Sequence, residues 1–191
     1  VLALITPIGA WGDTESAVTY LKSKASNPWA TMALVAAGES VSVDYLKATT
    51  GDTALAYEAP ILAIAAAGRD PRTFPNMNLV EKLKSFHVNN QIGDASLVND
   101  DIFGLLALIA AGESTSSPSV QDAKTFVMDQ QKENGSWSYG TSGSEDTNTT
   151  AAAVMALIAA GVSKNNQVIQ NAFTYLRSAQ NDDGGFPYDP E

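Results

Sequence analysis

The chain has 191 residues, 45% of them hydrophobic, enough to bury one core, and its length suits a single domain over 1–191 that belongs to a longer protein. Eleven Lys and Arg stand against 21 Asp and Glu, and a net charge of -10 repels phosphate backbones, so nucleic acid is not an expected partner. With no cysteine and one histidine, disulfides and thiolate or histidine-rich metal sites are excluded, no metal or cofactor is expected, and no apolar run reaches the roughly 18 residues of a membrane span.

Residues 15–25 are amphipathic and predict an outer helix. Residues 29–38 are apolar nearly all round and end on Gly38, as do 61–68, 105–112 and 154–161 on Gly68, Gly112 and Gly161. Alanine and leucine favour helix, and a glycine just past the end adopts the left-handed backbone that satisfies the last carbonyls. These four predict buried helices. Between them lie amphipathic segments at 43–48, 79–88, 120–132 and 168–179, in which apolar residues recur at three- and four-residue steps, as in Leu79, Val80, Leu83 and Phe86. Apolar inner helices alternate with amphipathic outer ones in units of 30 to 49 residues between glycines. That pattern predicts stacked helix pairs curving into a ring, slim alanine-rich helices inside.

A second pattern joins the layers. Phe126-Val127, Gln131 and Gly135-Ser136-Trp137 have the same spacing as Tyr175-Leu176, Gln180 and Gly184-Gly185-Phe186. A third copy, Phe86, Gln91, Ala95 and Leu97, is degenerate.

Several acidic residues sit where chemistry or capping is expected. Asp13, Asp52 and Asp146 each precede a threonine at the head of a predicted helix, and Asp100-Asp101 occupy an equivalent place. Helix capping is the plain reading. If the inner helices share one direction, Asp52, Asp100, Asp101 and Asp146 gather at one mouth and form a candidate ligand site for a cation or polar molecule. Glu58 lies inside an apolar segment two residues before Pro60. Either it is buried with a raised pKa, as an acid or ligand contact, or Pro60 kinks the helix and leaves it near solvent or capping a neighbour, and the second is the favoured expectation. His87 is expected to be structural, on the charged side of an outer helix. Trp137-Ser138-Tyr139 and Phe186-Pro187-Tyr188 are expected to pack between layers. Asp182-Asp183-Gly184-Gly185 lacks the spacing of a calcium loop, and Asn134 and Asn148 fit the glycosylation acceptor pattern.

The aromatic-Leu/Val, Gln, Gly-x-aromatic spacing resembles the QW repeat of terpene cyclases, and the wider layout resembles the prenyltransferase/squalene-cyclase repeat family. The stretch from Gln131 to Tyr139 is also similar to prenyltransferase-like repeats of bacterial surface and secreted proteins. The resemblance implies an all-α fold, an α/α toroid of four to five helix pairs that is incomplete, with an apolar open edge suited to self-association. It also implies that Gln131 and Gln180 bond to backbone amides at a neighbouring helix end. The family's zinc enzymes use Asp, Cys and His, and its cyclases a DxDD motif. The chain has no cysteine, and Val98-Asn99-Asp100-Asp101 lacks the leading aspartate, so no catalytic residue is assigned. The expected function is a non-enzymatic toroid module of a secreted or cell-surface protein, taking an unidentified small ligand or protein partner. The alternatives are an isoprenoid cyclase or prenyltransferase, with Glu58, Asp101 or Asp146 as acid, and a carbohydrate-active toroid.

Overall fold

A computed structural model describes residues 14–24, 26–75 and 77–189; Asp13 and Ala25, named above, lie outside them. The helices are α1 (Thr14–Lys22), α2 (Pro28–Ala36), α3 (Leu55–Ala66), α4 (Leu79–Lys84), α5 (Val98–Ala110), α6 (Pro118–Asp129), α7 (Thr147–Ala159) and α8 (Gln167–Ala179), with a 3₁₀ turn at Asp44–Ala48. Two antiparallel hairpins of two-residue strands, β1 (His87–Val88) with β2 (Gln91–Ile92) and β3 (Trp137–Ser138) with β4 (Glu145–Asp146), are the only strand pairs among the described residues. The fold is all-α and toroid-like.

Helices α2, α3, α5 and α7 pack in succession as an inner tier, and α4, α6 and α8 lie outside against α3, α5 and α7. Sequence explains the division. In α8 the buried residues Ile169, Ala172, Tyr175 and Ala179 recur at three- and four-residue steps, so one stripe faces inward. Helix α5 instead buries Ile102, Gly104, Leu105, Ala107 and Leu108, more than one stripe, because it meets helices on several sides. Trp29 on α2 reaches across α3 to meet Phe103 on α5 edge to face, ring centroids 5.6 Å apart.

Each inner helix ends in the same lock. Gly38, Gly68, Gly112 and Gly161 all have φ between +70° and +87°. At Gly112 the glycine amide bonds Ile109 O, and the Glu113 amide reaches back to Leu108 O. Nothing crowds a β-carbon there, so backbone conformation alone requires glycine.

Two expected outer helices differ. Residues 43–48 form only the 3₁₀ turn, and the helix expected over 79–88 stops at Lys84. Ser85 caps it, and the chain turns into the β1–β2 hairpin through Asn89 and Asn90, both with positive φ. His87 therefore lies on a strand, its Nε2 3.1 Å from Asp122 Oδ2 of α6.

Candidate functional site

The heads of α3, α5 and α7 lie at one end of the tier, since the first turn of α3 faces that of α5 and the Asn99 amide at the start of α5 donates to Tyr139 O, just after β3. At this end a cavity of about 310 Å³ opens, lined by Asp52, Asp94 and Asp100 with Leu55, Phe86 and Leu97 as apolar walls. Behind it three acids are buried, with Glu58 1%, Asp100 3% and Asp101 0% exposed. Asp100 Oδ2 accepts from the Asp94 amide at 3.1 Å, and Asp101 Oδ1 accepts from the Ile92 amide at 2.8 Å. Among the described residues both oxygens of Glu58, Asp100 Oδ1 and Asp101 Oδ2 have no partner in hydrogen-bond geometry, although the Asn99 side chain lies near enough to pull the Asp100 pKa down.

Burial without partners sets their protonation. Glu58 is pushed up to about 9, first by loss of water and then by the charges of Asp100 and Asp101. Asp101 is raised to about 7 by burial, against the pull of the Ile92 amide and with the push of Asp100. Asp100 is also raised by burial, the Asp94 amide pulling the other way. Asp94, exposed and bonded by the Ser96 amide and hydroxyl, is held below the usual carboxylate range. At neutral pH Glu58 is a neutral acid and the rim of the cavity is anionic.

The favoured expectation for Glu58 is overturned: α3 runs on through Pro60, and Glu58 is sealed beneath the helix ends. The capping expectation divides by repeat. Asp146 caps α7, its Oδ1 accepting the Thr149 amide at 2.6 Å and its Oδ2 the Thr149 hydroxyl at 2.7 Å. Asp52 does not cap, because α3 begins at Leu55 after Ala54, which makes no side-chain cap. Asp100 and Asp101 lie inside the first turn of α5 and receive amides of the preceding loop instead. The structure thus brings Asp52 and Asp100 to one cavity with Asp101 and Glu58 behind, and leaves Asp146 one repeat away, committed to Thr149. Asp94, Phe86 and Gly93 belong to the same place and are missed by a search for acids before helices. A β-carbon on Gly93, whose φ is +83°, would sit 2.4 Å from Asp100 Oδ2, so the loop closes directly over this carboxylate.

The layers are clasped by the QW pattern. Gln131 Nε2 donates to Gly135 O at 2.9 Å and to Val168 O of α8 at 2.8 Å, so its acceptors are carbonyls where amides are expected. Gly135 has φ +89°, and a β-carbon there would meet Asn171 O at 2.4 Å, so α8 can approach only a glycine. Trp137 is fully buried, its indole N–H donating to Val127 O at 2.7 Å. In the second copy Gln180 Nε2 donates to Gly184 O at 2.9 Å. Phe186 is 51% exposed, and Tyr139 and Tyr188 are also exposed, so of the four expected aromatic staples only Trp137 is buried. The backbone contact recurs one residue out of register: the Thr147 amide, first in α7, bonds Tyr188 O, and the Asn99 amide, second in α5, bonds Tyr139 O. Residues 83–190, more than half of the chain, match the model of the squalene-hopene cyclase C-terminal domain. The chain belongs to this family. A search of curated proteins finds no match. As a squalene-cyclase-like module it carries both intact QW copies inside the matched region, and its Asn99-Asp100-Asp101 string supplies two buried carboxylates. No helix among the described residues is long and apolar enough to cross a membrane.

Proposed function

We propose that this squalene-cyclase-like chain is a non-catalytic toroid module of a secreted or cell-surface protein, used for binding or as a structural unit. One observation carries the non-catalytic part. Among the described residues Glu58 and Asp101, the acids pushed furthest up, are buried and do not line the cavity, Asp146 is spent on Thr149, and of the acids raised by burial only Asp100 reaches the cavity. Acid-initiated chemistry needs its proton within hydrogen-bond reach of the substrate. Export is supported by the similarity to repeats of bacterial surface proteins and by the low Lys and Arg content. The module is one domain over 1–191 within a longer protein, and its exposed apolar positions offer a surface for self-association.

Incubation with squalene and with a polyprenyl diphosphate, followed by mass-spectrometric product analysis, tests the reading; unchanged substrate is expected, and a cyclised or transferred product overturns it. Protease shaving of intact producing cells tests export, with release of the module expected. A second reading, an isoprenoid enzyme, is favoured by the neutral Glu58 acid beside Asp100, which does reach the cavity. Under it, product forms and is lost in Glu58→Gln.

A further inference from the structure

The cavity between α3 and α5 has features that the clasp and the caps do not use. Asp100 is 3% exposed, lines the cavity, and keeps Oδ1 without a partner. Burying an unpaired carboxylate oxygen is costly, and the α7 repeat shows that the fold does not require it. Helices α5 and α7 each have 13 residues and end on Gly112 and Gly161, which places Asp100 and Asp101 opposite Thr149 and Thr150. Thr150 Oγ1 accepts the Trp137 amide at 3.0 Å, the duty that Asp101 performs for the Ile92 amide. A hydroxyl suffices in one repeat, and the other uses carboxylates.

The surroundings select the ligand. Asp52 and Asp94 join Asp100 in the lining, no lysine or arginine lines the cavity, and Leu55, Leu97 and the Phe86 ring form apolar walls. Phe86 already attracts one ammonium, Lys82 Nζ, 5.0 Å from its centroid. A divalent metal needs several oxygens converging at about 2.0–2.6 Å, and among the described residues no three His, Cys, Asp or Glu side chains come together to hold one. We propose that this cavity binds a small organic cation, an ammonium group on a short apolar body, with Asp100 as its buried counter-ion, Asp52 and Asp94 at the rim, and Phe86, Leu55 and Leu97 around the apolar part. The inference rests on the binding side of the proposed function and names its ligand class.

The test titrates n-butylammonium, 1-butanol and butyrate into the isotope-labelled chain and follows backbone amide shifts of Gly93, Asp94 and Leu97. Butylammonium is expected to move these amides saturably with affinity at least about tenfold above that of 1-butanol, butyrate moving none. Asp100→Asn weakens butylammonium by at least about tenfold, and Asp52→Asn, at an exposed position, by about two- to fivefold, whereas Asp182→Asn in the distant α8 loop leaves it unchanged. Equal binding of butanol and butylammonium overturns the proposal, as does equal weakening by Asp52→Asn and Asp182→Asn. If Asp100→Asn does not fold, the ligand pair on the native chain and the two surface variants decide. Cation binding alongside squalene conversion would keep this inference and remove the non-catalytic reading; no cation binding and no conversion would do the reverse.

Discussion

The repeat around α6, β3–β4 and α7 and the repeat around α4, β1–β2 and α5 use one backbone plan with different chemistry at the joint. In the first, Gln131 makes two hydrogen bonds, Trp137 fills the space between layers with its N–H bonded, and Asp146 uses both oxygens on Thr149. In the second, Ile92 holds the tryptophan's place against the inner helix while the partly exposed Leu97 lines the cavity, Gln91 Nε2 is buried without a partner, and Asp100 and Asp101, with Glu58 of the adjoining α3, keep unpartnered oxygens. Both repeats receive the hairpin amide on the inner helix, through Thr150 or Asp101. The joint with satisfied polar groups holds the layers together, while the joint with unsatisfied ones surrounds the cavity. Unpaired buried polar groups are costly, and the carboxylates among them gather where α3 meets α5, which marks that joint for function.

The sharpest way to break this comparison is to remove the centre of the satisfied joint. Trp137→Ala deletes a fully buried ring and its bond to Val127 O and is expected to lower stability by about 3–5 kcal/mol in denaturant unfolding. Leu97→Ala, which matches Trp137 only in the spacing of the degenerate copy and lies on a partly exposed cavity wall, should cost well under half as much. Equal losses would mean that the two joints share the load.

The second expectation concerns pH. Glu58 has a folded pKa near 9, above its ordinary 4.5, so its stabilising contribution is complete below about 4.5 and is lost as pH rises toward 9. Thermal or denaturant unfolding should show stability falling by about 1 kcal/mol per pH unit between pH 5 and 9. Glu58→Gln removes the part of that slope above about pH 7 and leaves the part due to Asp101. A native chain with the same stability at pH 5 and pH 8 would contradict the unpaired burial of this acid.

Much of this division is legible in the residues. Both tiers follow from composition and period, because alanine-rich segments ending on glycine can only be slim buried helices and stepped segments such as 168–179 can bury one stripe. The clasp is legible because Gln131, Gly135 and Trp137 recur at fixed spacing. The head end is less so. An aspartate before a threonine reads as a cap whether it is one, as at Asp146, or faces a cavity, as at Asp52, since the difference depends on where the helix starts. Glu58 and Pro60 together suggest a break that leaves the acid near solvent, but α3 continues past the proline and packs against α2, α4 and α5, which buries Glu58. The hairpins are too short to leave a strand pattern. The offset between Gly112 and Gly161 does align Asp101 with Thr150, a signal available in the sequence.

The clasp itself gives a third expectation. Gln131→Ala loses bonds to Gly135 O and to Val168 O of the neighbouring helix and should cost roughly 1–3 kcal/mol. Gln180→Ala loses one bond within an exposed loop and should cost under about 1 kcal/mol. Comparable losses would show that the bond to the loop glycine carbonyl, Gly135 O in one copy and Gly184 O in the other, carries the clasp.

The smallest and most discriminating change transplants one joint into the other. Asp101→Thr retains an oxygen that can accept the Ile92 amide, as Thr150 accepts that of Trp137, and removes the unpartnered Oδ2. At pH 4, where Asp101 is largely protonated, the variant should lie within about 1 kcal/mol of the native chain. Asp101 has a folded pKa near 7, raised from 3.8, so its contribution is present at low pH and is lost as pH rises through 7. The advantage of threonine should therefore grow from pH 4 to pH 7 and level off above it. The substitution also removes one of the two charges that raise Glu58, so the pH at which the remaining slope ends should move below 9. If Asp101→Thr is instead less stable than the native chain at every pH, the carboxylate is structural in this repeat and the contrast between the two joints fails.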